Sequence, residues 1–153
     1  MSAVIKENPQ FRPLCAQDID AVMAIESVIY PFPWTVGNFR DSLRAGYSCW
    51  AYEFNGHLFG YAILMIGADE AHLLNISIAS EWQRQGWGRK LMQHLIKVAR
   101  EYAAENIFLE VRSSNVGAER LYDDIGFTRI ALRKNYYPDH KGREDAILMG
   151  LRL

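Results

Sequence analysis

Apolar positions recur along the chain with two periods, alternate residues in some stretches and helical spacing in others, and the changes of period divide it into elements. Phe11-Arg12-Pro13-Leu14-Cys15 reads as a first strand, and Pro13, which has no N–H for a ladder, puts it at a sheet edge. Residues 1–9 before it read as a loose lead-in ending at Pro9. Asp18 stands in the capping position ahead of Ile19, Val22, Ile25 and Ile29 at helical spacing. Tyr30-Pro31-Phe32-Pro33-Trp34 must break that helix. Thr35 is a candidate cap for a second, shorter helix carrying Phe39 and Leu43, with Gly46 placed to stop it.

Residues 47–54 and 57–66 predict two strands around Asn55-Gly56, a dipeptide suited to a tight hairpin because both of its residues tolerate positive φ. Residues 67–70 turn the chain into a further strand over 71–79, which makes an antiparallel meander. From Gly88 onward Leu91, Leu95, Val98, Ala99 and Tyr102 form one helical stripe, with Lys97, Arg100 and Glu101 outside it. Residues 107–112 read as the next strand. Asn115 then caps a helix through Val116, Leu121 and Ile125 that Gly126 ends, and strands near 127–137 and 144–152 close the chain. There are no internal repeats, linkers or low-complexity segments. This alternation alone supports an α/β or α+β fold.

Composition narrows the picture. A chain of 153 residues, 50% of them hydrophobic, suits one compact domain with a sizeable core. A formal net charge of −1 supplies no general field for nucleic acid or an anionic membrane, so a partner must be recognised locally. The N-terminus lacks a charged-then-apolar signal segment, and the apolar runs fall short of a membrane span, so a cytosolic protein is expected. Cys15 and Cys49 have no metal-ligand spacing and read as reduced core thiols. His57, His72, His94 and His140 are scattered, and neither a metal site nor a Ser-His-Asp or Cys-His site has local support.

The most chemically specific stretch is Gln83-Arg84-Gln85-Gly86-Trp87-Gly88-Arg89, between a strand and a helix. Glycines let a backbone approach a ligand, and the first N–H groups of a helix have no partner inside it, so the two together can hold a phosphate. The plainer reading is that Gly86 and Gly88 only shape a tight connection. A Walker loop would need Lys-Ser/Thr after Gly88, and a dinucleotide fingerprint would need glycine where Leu91 stands. The stretch resembles instead Gln/Arg-x-x-Gly-x-Gly/Ala, the pyrophosphate loop of the GNAT N-acetyltransferase family, whose co-substrate is acetyl-coenzyme A. The element order matches that family over nearly the whole chain. The resemblance implies a central mixed, mostly antiparallel sheet of about seven strands flanked by about four helices.

Several residues gain candidate roles. Alternation puts Phe108, Glu110 and Arg112 on one face of their strand, and a carboxylate in an apolar run either pairs with Arg112 or another cation or works as a base. An α-amine has a pKa near 8 and must lose a proton before it attacks a thioester, which is work for Glu110. Tyr122 reads as a core tyrosine by pattern. Asn115-x-x-Ala118-x-x-Leu121-Tyr122-x-x-x-Gly126-Phe127 resembles the second cofactor motif of the family, which implies that Tyr122 protonates the departing thiolate and that Asn115 contacts the cofactor, beside its role as a helix cap. The same resemblance implies cofactor binding by Ile76, Ser77 and Ile78 through their main chain, and by Arg84, Gln85, Gly86, Trp87, Gly88 and Arg89; the strand itself reads as carrying no side-chain chemistry. Trp87 and Ser77 occupy positions the family varies.

Phe32-Pro33-Trp34, Leu109-Glu110-Val111-Arg112-x-Ser114-Asn115, Arg133-x-Asn135-Tyr136-Tyr137-Pro138 and Gly142-Arg143-Glu144-Asp145-Ala146 resemble one branch of the family. Its enzymes acetylate the N-terminal alanine of a small-subunit ribosomal protein by direct transfer in a ternary complex. The implied partner is the N-terminal segment of such a protein, with no direct nucleic-acid or membrane contact. Trp34, Tyr136 and Tyr137 are expected in loops, where they flank a peptide or pack on their own domain. Glu144 and Asp145 either attract a basic peptide or pair with Arg143. Transfer to a lysine or a small amine, and a non-catalytic acetyl-coenzyme A sensor, are the alternatives.

Overall fold

The computed structural model describes residues 8–153, so residues 1–7 of the expected lead-in lie outside the described residues. In chain order the described elements are β1 (Gln10–Pro13), α1 (Ile19–Ile29), α2 (Val36–Arg44), β2 (Ser48–Phe54), β3 (His57–Gly67) and β4 (Glu70–Ile78). There follow α3 (Trp87–Glu101), β5 (Asn106–Arg112), α4 (Val116–Ile125), β6 (Thr128–Asp139) and β7 (Gly142–Arg152). Single 3-10 turns, Ala16–Asp18 and Ser80–Trp82, lead towards α1 and α3. The seven strands are hydrogen-bonded in the order β1-β2-β3-β4-β5-β7-β6. Strand β5 runs parallel to β4 because the connection between them passes through a helix, whereas β1/β2, β5/β7 and β6/β7 are antiparallel. This is the mixed sheet with four helices expected of the family.

Local sequence accounts for the joints. Asn55 (φ 50°) and Gly56 (φ 79°) both take the left-handed conformation that a two-residue hairpin demands. Thr35 caps α2 by accepting from the N–H of Asn38 at 3.1 Å, while the Asn38 side chain accepts from the N–H of Thr35 at 2.9 Å. Asp18 departs from expectation. Its carboxylate does not cap α1 but accepts two 2.8 Å hydrogen bonds from Arg12 and one of 2.9 Å from the N–H of Cys15, closing the 3-10 turn. The Arg12 guanidinium holds the Asp18 carboxyl down at about 2.

The described chain forms two compact units, one of residues up to Ile63 with Asn75–Leu91, the other of Leu64–Leu74 with Met92–Leu153. In the first, Leu14, Ile19, Val22, Phe39, Cys49, Ala51, Tyr61 and Ile63 form a buried cluster. Phe39 meets Tyr61 edge-on with ring centroids 5.7 Å apart. Burying each large side chain of this kind stabilises the fold by about 1.5–3 kcal/mol. In the second unit Leu95, Val98 and Ala99 of α3 are buried, as are Ile107, Leu109 and Val111 of β5 and Ala146, Ile147 and Met149 of β7.

Four expectations need correction. The buried stripe of α1 is Ile19, Val22 and Glu26, with Ile25 and Ile29 only half-buried, because the buried face turns through position 26 and finds polar partners there. Tyr102 is 68% exposed because α3 ends at Glu101, and Met92 and Ile96 complete its buried face. In α4 the buried residue is Tyr122, whereas Val116, at the exposed start of the helix, faces solvent. Cys15 is exposed at the start of the 3-10 turn, where its Sγ lies 3.2 Å from Asp18; only Cys49 is a core thiol, and burial pushes it up to about 11.

Candidate active site

The loop before α3 is shaped by its backbone. Gln83 is extended, then Arg84 (φ 62°) and Gly86 (φ 88°) both turn left-handed before the helix begins at Trp87. Arg84 takes a conformation that L-residues seldom adopt, a local cost of the kind that accumulates at ligand sites. The first intrahelical hydrogen bond that α3 makes with the loop is from the N–H of Lys90 to the Gly86 carbonyl, 3.2 Å, so the N–H groups of Trp87, Gly88 and Arg89 precede it. A Cβ placed on Gly86 would meet nothing within 4 Å. The polar side chains meanwhile brace the loop against its own fold. Gln83 donates through Nε2 to the Ile78 carbonyl at 2.8 Å, and Gln85 donates to the Glu81 carbonyl at 3.0 Å. The Trp87 ring meets Tyr52 and Phe59 edge-on, each at 6.0 Å. Arg84 and Gly86 are exposed, and a cation, an open approach at Gly86 and the N–H groups at a helix start are the features that fit a pyrophosphate.

The end of β4 carries more than main chain, contrary to expectation. Asn75 and Ser77 are buried and belong to a polar chain that starts at Glu26, itself 1% exposed. Glu26 accepts from the Tyr61 hydroxyl at 2.7 Å, from Asn75 Nδ2 at 3.1 Å and from the main-chain N–H of Trp34 at 2.9 Å. Asn75 Oδ1 accepts from Ser77 Oγ at 2.7 Å. The Tyr30 hydroxyl lies 2.8 Å from Ser77 Oγ and donates to the Ile76 carbonyl at 3.0 Å. Burial pushes Tyr30 up to about 12 and Tyr61 higher still, so both remain hydrogen-bond donors across the working range of pH. Trp34 sits in the α1–α2 loop, as expected, with its ring 5.1 Å from Phe39 on the first core cluster.

In the second unit, Glu110 is half-buried near the end of β5, between buried Leu109 and Val111. Its partner is not Arg112. Arg133 of β6 brings Nε to 3.5 Å from Glu110 Oε1, and the same carboxylate, close to the Tyr136 hydroxyl, pushes that tyrosine up. Burial, with the negative Glu110 nearby, pushes Tyr137 up to about 12. Arg112 is taken by β7 and β6. It donates to Glu144 at 2.8 Å and to the Pro138 carbonyl at 2.8 Å, and its guanidinium lies 4.6 Å over the Tyr137 ring. Glu144 also accepts from the Ser114 hydroxyl at 3.1 Å, and Arg112 holds its carboxyl below the usual range. Glu144 and Asp145 therefore do not pair with Arg143: Asp145 accepts from the N–H of Asn135 at 2.9 Å, and Arg143 donates to the Tyr136 carbonyl at 3.2 Å. Tyr136 and Tyr137 lie within β6 rather than in a loop; Tyr136 falls in the register shift between Arg133 and Tyr137, with Asn135 at φ 53°, and Tyr137 resumes the pairing. Their rings meet edge-on at 4.9 Å. The structure thus brings Glu110, Tyr136 and Tyr137 into one cluster.

On α4, Asn115 caps the helix by accepting from the N–H of Ala118 at 3.2 Å. Tyr122 is buried with its ring 5.8 Å from Phe127, and its carbonyl accepts from the N–H groups of Gly126 (3.1 Å) and Phe127 (3.0 Å) where Gly126 (φ 123°) ends the helix. Among the described residues no three His, Cys, Asp or Glu side chains come together as a metal ligand set.

The acetyltransferase (GNAT) family model matches residues 19–127. The chain belongs to this family. A ribosomal protein bS18-alanine N-acetyltransferase of Escherichia coli (strain K12) is 40% identical over 134 residues, covering 88% of this chain and 90% of the relative. The crystal structure of the ribosomal-protein-S18-alanine N-acetyltransferase from Escherichia coli matches with a TM-score of 0.90 and 37% identity, over 95% of this chain and 94% of that one. A GNAT family acetyltransferase from Elizabethkingia anophelis, solved with acetyl-CoA bound, shares the fold at a TM-score of 0.78 and 22% identity, over 97% of this chain and 100% of that one. This GNAT protein is accordingly an acyltransferase, and its reaction class is N-acetyl transfer.

Within the GNAT frame, sequence reasoning missed Glu26, Tyr30, Tyr61 and Asn75, and it passed over the Gln83 side chain. A signal for two of them was present: Asn75 and Ser77 share one face of an otherwise apolar strand. Glu26 stands four positions after Val22 and seven after Ile19, on the face those residues bury.

Proposed function

We propose that the chain acetylates the N-terminal α-amine of a ribosomal-protein segment beginning with alanine, by direct transfer from acetyl-coenzyme A in a ternary complex. The observation that carries this reading is the cluster on β5 and β6: a half-buried carboxylate, Glu110, paired with Arg133 and close enough to Tyr136 and Tyr137 to push both tyrosines up. The 40% identical relative named for ribosomal protein bS18 supports the substrate, and the acetyl-CoA-bound family member supports the donor.

The bound donor supplies an acetyl group as a thioester. Main-chain groups at the start of α3, with Arg84 and Arg89 adding positive charge, hold its pyrophosphate, and Gln85, Gly86, Trp87 and Gly88 shape that loop. Ile76, Ser77 and Ile78 bind its arm through the main chain, and an N–H there stabilises the charge that develops on the acetyl oxygen. Asn115 contacts the donor as well as capping α4. Tyr136 and Tyr137 meet the incoming peptide, whose protonated amine is drawn to Glu110, and Trp34 is a further peptide contact. Glu110, directly or through one water, takes the proton that keeps the amine from attacking, and Tyr122 gives a proton to the thiolate that leaves. The chain works as one acetyltransferase domain in the cytoplasm; among the described residues no helix is long and apolar enough to cross a membrane.

The test is thiol release from acetyl-coenzyme A with three acceptors: an alanine-starting peptide, the same peptide with its α-amine blocked, and a small primary amine. Release with the first alone is the expected result. Equal release with the blocked peptide would move the target to a lysine, and release with the small amine alone would make this a small-amine acetyltransferase.

A further inference from the structure

We propose that Glu26 is a positioning residue for acetyl transfer, holding the Trp34 loop and the β4 main chain at Ile76 in fixed relation through one buried carboxylate. The inference rests on the function proposed above and concerns Glu26 and Tyr30, to which that function assigns no role.

The direction of the hydrogen bonds carries the argument. The Trp34 N–H can only donate, and so can Asn75 Nδ2; with the Tyr61 hydroxyl, three donors converge on the two oxygens of Glu26. Because Asn75 gives its amide hydrogen to Glu26, its Oδ1 is left to accept from Ser77 Oγ. The hydrogen of Ser77 is then committed, so Ser77 Oγ accepts from Tyr30, whose one hydroxyl hydrogen is left to serve Ser77 Oγ and the Ile76 carbonyl. One acceptor-only group therefore orders every hydrogen from the α1–α2 loop to the β4 main chain. Gln83 acts on the same strand from the other direction by occupying the Ile78 carbonyl. With the carbonyls of Ile76 and Ile78 both held by side chains, the strand that faces the thioester in the proposed reaction is fixed at two points.

Stability alone does not call for Glu26. A carboxylate 1% exposed on a stripe otherwise made of Ile19 and Val22 carries a desolvation penalty that an apolar side chain would avoid. In exchange it ties together three segments, 8, 35 and 49 residues away along the chain. A glutamine cannot replace it in the same arrangement. Its NH2 group would face either the Trp34 N–H, freeing the loop, or Asn75 and Tyr61, forcing the amide and hydroxyls to reverse.

The experiment measures kcat, peptide KM, acetyl-coenzyme A affinity and melting temperature for the whole protein and for Glu26→Gln, Tyr30→Phe and Val28→Ala, the last an exposed position on the same helix. Tyr30→Phe removes only the hydroxyl shared by Ser77 Oγ and the Ile76 carbonyl and should lower kcat about tenfold while peptide KM stays within about twofold. Glu26→Gln should also raise peptide KM about tenfold, because the Trp34 loop is released. Val28→Ala should match the parent. If kcat and KM of Tyr30→Phe stay within about twofold of the parent per folded molecule, the proposal is overturned, even where Glu26→Gln fails to fold. A change in melting temperature without this split between kcat and KM would make the network purely structural and overturn it equally. Should the unmodified protein acetylate no amine while binding acetyl-coenzyme A, the proposed function fails first, and the role of Glu26 falls with it.

Discussion

Replacing Glu110 by glutamine removes a base while leaving its shape in place. The ion pair that Glu110 forms with Arg133 spans 3.5 Å, and the arginine in it is more than half exposed. Such pairs stabilise a fold by less than about 1 kcal/mol, so melting should fall by no more than about 2–4 °C. Catalysis should suffer far more. A positioned general base contributes about 10²–10⁴-fold, or roughly 2.7–5.5 kcal/mol of barrier at about 1.4 kcal/mol per decade. The pH profile adds a second signature. With an α-amine pKa near 8, about one-tenth of the substrate is neutral at pH 7 and about nine-tenths at pH 9, so the variant should regain about tenfold over that range as solvent does the deprotonation. The assay is steady-state thiol release with a free-amine peptide, each point corrected for folded protein. A variant within about threefold of the parent at pH 7, with a parallel pH profile, would refute the assignment of Glu110 as base.

Three further outcomes are expected. Tyr122→Phe should lower turnover by about a hundredfold or more with acetyl-coenzyme A affinity changed only a few-fold; an unchanged rate would remove the hydroxyl from proton donation. Gly86→Val puts a β-branched side chain at φ 88° and into the open approach to the loop, so calorimetric affinity for acetyl-coenzyme A should drop about tenfold or more; unaltered affinity would dissociate the loop from the pyrophosphate. Asp18 is held at about 2 against 3.8 for the free group, so its contribution to stability is complete above about pH 4 and is lost as pH falls through about 2. Denaturant melts should show that acid-side loss in the parent and a flatter dependence in Asp18→Asn.

Where structure follows from neighbours in sequence, the chain is legible. Asn55-Gly56 makes its hairpin, Thr35 and Asn38 their reciprocal cap, and β5 its alternation, because each is decided within a few residues. Partners brought in by other strands are not legible in this way. Glu110 and Arg112 share a face of β5 and look paired, yet the antiparallel register of β7 and β6 delivers Glu144 to Arg112 and Arg133 to Glu110. The irregularity in β6 hides in the same manner: Asn135 in a left-handed turn interrupts the register, and the strand resumes with Tyr137 where a loop was expected. Glu26 was obscured because Ile25 and Ile29 appeared to complete the apolar stripe, and its three acceptor contacts exist only once the loop, β3 and β4 have folded around it. The loop's shape was readable because the left-handed turn at Gly86 and the helix start at Trp87 are decided by local backbone.

The central claim is transfer of an acetyl group to a peptide α-amine. Fragmentation mass spectrometry of an alanine-starting ribosomal-protein peptide, carrying an internal lysine and incubated with the protein and acetyl-coenzyme A, tests it most directly. The account predicts one acetyl group, on the N-terminal residue. An acetyl group on the lysine with the α-amine left free would contradict it.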